Sequence, residues 1–232
     1  MRLSAIQKGL SLLPSITLEW GFEGCQGRLV ELSGEAVLSG VVELVAEAQH
    51  AGEMVAWVSS GQRPFFPPDA ARAGLALEEL AVILLEDGQQ ATRATVRLLA
   101  SGGFGLVVLD TISFSGRLRY PPALLSHWVG LTRKHQAAMV VLTDKTARQA
   151  SVSSLVSLRA EFSLTSTQEV TIHVLKDKRH GPGRHWQRRF LLPHGLRGDS
   201  VFRDSRDPSP SSRLARISGG LGFGPKADRQ AP

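Results

Sequence analysis

The sequence predicts an α/β domain: a mainly parallel sheet flanked by helices, with antiparallel strands at its C-terminal end. Three observations carry this. Short uninterrupted apolar runs, such as Leu106–Leu109, suit strands buried on both faces. These runs alternate with segments that are apolar at helical spacing, the βαβα rhythm of such folds. After about residue 150 the apolar period drops to two, the mark of strands with one solvated face. With 232 residues, 42% of them hydrophobic, the chain is long enough for one domain with a buried core.

In chain order, Leu29–Leu32 reads as a strand ended by Ser33-Gly34, and Val41–Gln49 as a helix closing at Ala51-Gly52. Met54–Val58 is a second strand, followed by an irregular connection containing Pro64, Pro67 and Pro68. Asp69 is placed to cap a short helix through Ala73 by accepting from its free N–H groups. Val82–Leu85 is a third strand, and a helix from Gln89 to Ala100 stops at Gly102-Gly103. Leu106–Leu109 runs into Asp110, and Pro121–His135 is a helix with proline where a missing N–H costs little. Ala138–Leu142 is a further apolar strand. Val156–Leu164, Val170–Val174 and Trp186–Leu192 alternate as antiparallel strands that extend the sheet on one side. Residues 1–20 form a short N-terminal segment and 21–197 the core. Residues 198–232, rich in Pro, Ser, Gly, Arg and Asp, read as a flexible, disordered tail.

Charge placement narrows the function classes. The net charge is −2 over residues 1–175, +5 over 176–196 and +3 over 197–232. A polyanion partner should therefore meet the C-terminal part. One cysteine, Cys25, excludes an internal disulfide and a cysteine-based zinc site. The seven histidines have no paired metal spacing. No apolar run reaches the roughly 20 residues of a membrane span. A soluble, cytoplasmic protein without membrane contact is expected.

GRLVELSG (residues 27–34), a helix and EMVAWVSS (53–60) resemble the start of the RecA recombinase core. LVVLD (106–110) looks like a Walker B strand, and MVVLTD (139–144) like the strand leading into the second DNA loop. LVSLRAEFSL (155–164), VTIHVLKDK (170–178) and the arginine-rich stretch ending in PHGL follow in the family's order, so the resemblance covers about residues 21–197.

The departures are informative. A working phosphate loop, G-x-x-x-x-G-K-[ST], uses backbone N–H groups, a lysine and a hydroxyl to hold phosphate and Mg²⁺. Between Gly34 and Gly40 this chain has one residue too many, ending in Ser39. Val41 and Val42 replace the lysine and hydroxyl, and Glu35 adds repulsion for phosphate. The carboxylate that the family places after the second strand is absent, since Val58 leads into Ser59, Ser60 and Gly61. Gly34, Ser39, Gly40 and Asp110 are thus expected to be a vestigial nucleotide pocket with no cofactor and no ATP hydrolysis.

Arg117 and Arg119, beside Phe114 and Tyr120, fall in the stretch resembling the first DNA loop; Lys145 and Arg148 fall in a shortened second one. Lys176 and Lys178 stand where the recombinase places lysines that reach ATP across a filament interface. With Arg179, Arg184, Arg188 and Arg189 they form a candidate nucleic-acid surface. About 20 residues precede the core, with Leu3, Ile6, Leu10 and Leu13 on one helical face, so no stable self-filament is expected. The groove that would accept a neighbour's N-terminal segment is expected to take a partner's instead.

The chain resembles the ImuA-type RecA-like accessory proteins of inducible-mutagenesis cassettes. That resemblance implies a nucleoid-associated scaffold in the DNA-damage (SOS) response and translesion synthesis. Its implied partners are a Y-family polymerase-like protein of the same cassette, RecA itself, and DNA weakly. A SulA-like cell-division inhibitor and an ATP-dependent recombination paralog are the alternatives.

Overall fold

The computed structural model describes residues 19–60, 67–114, 118, 120–166 and 169–189. Most of the expected N-terminal segment and the whole expected 198–232 tail lie outside the described residues.

The apolar runs form one eight-stranded sheet: β1 (Leu29–Ser33), β2 (Val55–Ser59), β3 (Leu80–Leu84), β4 (Leu106–Asp110), β5 (Ala138–Thr143), β6 (Leu158–Leu164), β7 (Glu169–Asp177) and β8 (His185–Arg189). The order is β3-β2-β4-β5-β1-β6-β7-β8. Strands β1 to β6 pair in parallel, and β7 and β8 add antiparallel. Central strands β1, β2, β4 and β5 are buried at every position, as continuous apolar runs require.

The helices are α1 (Phe22–Cys25), α2 (Val37–His50), α3 (Pro67–Arg72), α4 (Gly88–Ser101) and α5 (Pro122–His135), with a 3₁₀ turn at Leu77–Glu79. On one face, Val41, Leu44 and Val45 of α2 pack with Val30, Leu32, Phe162 and Ile172. On the other, Leu99 of α4 and Leu125 and Trp128 of α5 pack with Leu29, Val107, Met139 and Val141. Each such side chain, fully buried, contributes roughly 1.5–3 kcal/mol.

Two expectations need correction. Strand β6 is antiparallel only to β7; towards β1 it is parallel, Val30 opposite Leu158. The 14-residue connection from β5 is long enough to return across the sheet and allow this. Asp69 lies within the first turn and not ahead of it, because α3 begins two residues earlier, at Pro67; proline's fixed φ suits a first turn. Asp87 is the N-cap of α4. Its carboxylate accepts from the N–H groups of Gln89 (3.0 Å) and Gln90 (3.3 Å).

Candidate functional site

The turn after β1 is where a phosphate would be held if this sheet bound a nucleotide, because a helix N-terminus offers unpaired N–H groups. Here neighbouring groups engage two of those donors, Ala36 N–H and Val37 N–H. Gly34 has φ +106°, and an added Cβ would lie 2.8 Å from Phe162 N and closer still to its carbonyl oxygen. Only glycine fits, and β6 therefore lies hard against the turn. The Phe162 carbonyl accepts from Ala36 N–H at 3.2 Å, and Val37 N–H turns back to Gly34 O at 3.2 Å. The Glu35 carboxylate accepts from Leu164 N–H at 2.9 Å. Gly40 lies under the Phe162 ring; a Cβ there would come within 2.6 Å of Cζ and nearer to Cε1. Val41 and Val42 are buried with Ser39 and contribute to the core.

Asp110 ends β4 at the same edge of the sheet, with β5 between it and β1. Its carboxylate accepts from Ser59 Oγ (3.2 Å), Ile112 N–H (3.1 Å) and Ser113 N–H (3.2 Å). Burial pushes its pKa up, against the lowering effect of these hydrogen bonds. Ser113 Oγ also accepts from Ser60 N–H at 2.8 Å, which ties the ends of β2 and β4 together. Among the described residues, no hydrogen bond joins Asp110 to Gly34, Ser39 or Gly40.

Beside Asp110 opens a cleft of about 660 Å³ between the segments following β4 and β5. Ile112, Phe114 and Tyr120 form one wall, with Asp144, Lys145 and Gln149 opposite. Burial pushes the Tyr120 phenol well above its usual range. Arg117 and Arg119 lie outside the described residues. Lys145 donates to Ala150 O at 2.8 Å and so folds its own loop, while Arg148 is exposed.

The β5–β6 crossover is pinned by a buried clasp that sequence reasoning missed. Glu31, in the middle of β1, is fully buried. It accepts from Ser151 Oγ and from Val152 N–H at 3.0 Å. Arg159 on β6 approaches it at 3.9 Å and donates to Gln149 O (2.6 Å) and Thr146 O (2.8 Å). Glu161 adds a 2.8 Å bond from Ala147 N–H. The available signal was the acid itself: a lone glutamate inside an apolar strand must find partners.

The candidate basic residues do not form one free surface. Arg184 pairs with the buried Asp177, Arg188 with Glu19 at 3.2 Å, and Arg189 with Glu169 at 3.1 Å. Arg179 reaches Gln26 O at 3.2 Å, and Lys176 the carbonyl of Ser154 at 3.2 Å. Burial, then the like charge of Lys178, holds Lys176 below the usual lysine range. Lys178 is exposed. Lys176, Lys178, Arg179 and Arg184 lie at the end of the sheet where β1 starts; Lys145 lies just beyond the opposite end, and Arg148 follows it in the crossover. Asp177 is a hub, with Arg28 at 2.6 Å, Arg184, His180 at 3.3 Å and Arg179 N–H at 2.8 Å. Burial raises its pKa, but these hydrogen bonds and the Arg28 charge outweigh it and leave it below the usual range.

No described helix is long and apolar enough to cross a membrane. No protein-family model matches the chain. The chain is 30% identical over 93 residues to Protein RecA of Rickettsia canadensis, a stretch covering 38% of this chain and 26% of that protein. Protein RecA of Methylococcus capsulatus is 32% identical over 93 residues, with the same coverage. The chain thus spans about a quarter of the length of the curated relatives it matches. In three dimensions it is similar to the crystal structure of the RadB recombinase, with a TM-score of 0.56 at 16% identity. That match covers 71% of this chain and 88% of the other. The fold is RecA-like.

Proposed function

We propose that this RecA-like chain is a non-catalytic scaffold of the DNA-damage response that supports error-prone translesion synthesis. It would bind a polymerase-like partner, RecA and, weakly, DNA. The observation that carries the non-catalytic part is the turn after β1. Val41 and Val42 stand in the core where a lysine and a hydroxyl would serve phosphate and Mg²⁺. The Phe162 carbonyl accepts from the turn's Ala36 N–H, and the turn's own Glu35 carboxylate accepts from Leu164 N–H. A phosphate entering there would meet these oxygens. The cassette role and its partners rest on the resemblance to ImuA-type proteins, since a fold alone does not set a function.

The test is affinity capture from cells with damaged DNA, using the full chain and a variant with Lys176, Lys178, Arg179, Arg184, Arg188 and Arg189 changed to Ser. Recovery of a Y-family polymerase-like protein with both, and of DNA with the parent only, supports the proposal. Recovery of a tubulin-like division protein instead of a polymerase overturns it.

A further inference from the structure

We propose that His173 and His185 form a binding site for a divalent first-row metal ion, Zn²⁺ or Cu²⁺, on the open face of the β6–β7–β8 sheet. The alternation of β7 fixes which side chains share that face. Val170, Ile172 and Val174 point into the core and are at most 1% exposed. His173 therefore points the other way and is exposed, as is His185 on β8.

The two residues are direct register partners. The neighbouring pair exchanges a backbone bond, Val174 N–H to Arg184 O at 2.8 Å. Hydrogen-bonded and non-hydrogen-bonded pairs alternate along an antiparallel ladder, so the histidines fall on a non-hydrogen-bonded pair, where side chains stand closest. Opposed Cβ atoms there are about 4.5–5.5 Å apart. From such positions two imidazole nitrogens can meet one ion at bonds of about 2.0–2.1 Å. Neither ring has a hydrogen-bond or ionic partner among the described residues, whereas His180 is held by Asp177 and His50 by Ala46 O.

The register continues one strand further: Glu161 on β6 is the direct partner of His173. One of its oxygens accepts from Ala147 N–H, which leaves the other to orient the His173 ring, the usual service of a carboxylate beside a metal-binding histidine. Among the described residues no group of three or more His, Cys, Asp or Glu side chains is arranged to hold a metal, so water completes the coordination. Two neutral imidazoles suit Cu²⁺ and Zn²⁺ over Mg²⁺ or Ca²⁺. The ion would bridge β7 to β8, the strands that carry Lys176, Arg188 and Arg189.

The experiment is titration of the metal-free full chain with zinc chloride, and separately with copper(II), against a chromogenic chelator. Parent protein, His173→Gln, His185→Gln and a His50→Gln control are compared at pH 7.5. The expected result is one ion per chain in parent and control. Each of the other two variants should weaken binding more than about tenfold, a loss at least equal to removing an outer-shell partner. Equal binding by all four proteins, or none in the parent at micromolar metal, would overturn the proposal. Circular dichroism of each variant confirms that a lost site is not a lost fold.

Discussion

Replacing Gly40 with alanine tests the closed turn most sharply, because two effects of opposite sign compete there. In an ordinary helix interior, Gly→Ala stabilises by roughly 0.5–1 kcal/mol. At Gly40 the new methyl would press into the Phe162 ring, 2.6 Å from Cζ and nearer to Cε1. That ring is fully buried and stacks edge-on against Trp20 at 5.5 Å, so it cannot swing aside cheaply. Overpacking of this kind costs about 1–3 kcal/mol. The net expectation for Gly40→Ala is a loss of about 1 kcal/mol. In a Phe162→Leu background the obstruction is gone, and the same substitution should gain about 0.5 kcal/mol from propensity. The coupling, about 1.5 kcal/mol, lies within the range for residues in contact. Urea denaturation of the four proteins, read as midpoints with unchanged slope, measures it. A Gly40→Ala protein more stable than its parent, or an equal effect in both backgrounds, would refute the packing argument.

Three further outcomes are expected. Glu31→Ala removes the anchor of the β5–β6 crossover and leaves Arg159 buried beside a gap; it should cost about 3 kcal/mol. Amide exchange across residues 146–152 should accelerate, and unchanged exchange there would contradict the clasp. Asp177 has a folded pKa below its unfolded value, so its contribution is present above about pH 4 and lost as pH falls through the folded pKa. Asp177→Asn should therefore be less stable than the parent at pH 7, with the gap closing in acid; a gap independent of pH would count against the hub. The Cys25 thiol is fully buried, and burial pushes its pKa up to about 12. A thiol reagent at pH 8 should modify it only as fast as the protein unfolds, and rapid labelling of the folded protein would contradict this burial.

The period of the apolar residues was enough to locate every strand among the described residues: unbroken runs mark β1, β2, β4 and β5, buried on both faces, and β4 falls where LVVLD places it. The parallel pairing of β6 with β1 was not legible, since alternation reports a solvated face and not strand direction. That Val41 and Val42 face the core was readable from their apolar character. The packing of Phe162 on that turn was not, because Phe162 lies over 120 residues away and reaches Gly40 only through the β1–β6 pairing. Counting charges located the basic segment but not its pairing. Glu19 and Glu169, the partners of Arg188 and Arg189, are far away or across a hairpin, and distance in sequence hides both.

The central claim is that this chain binds partners without turning over nucleotide. The direct measurement is steady-state ATP hydrolysis by the purified full chain with Mg²⁺ and single-stranded DNA, beside Asp110→Ala. The account predicts that both proteins give the rate of buffer alone. Turnover by the parent that disappears in Asp110→Ala would contradict it.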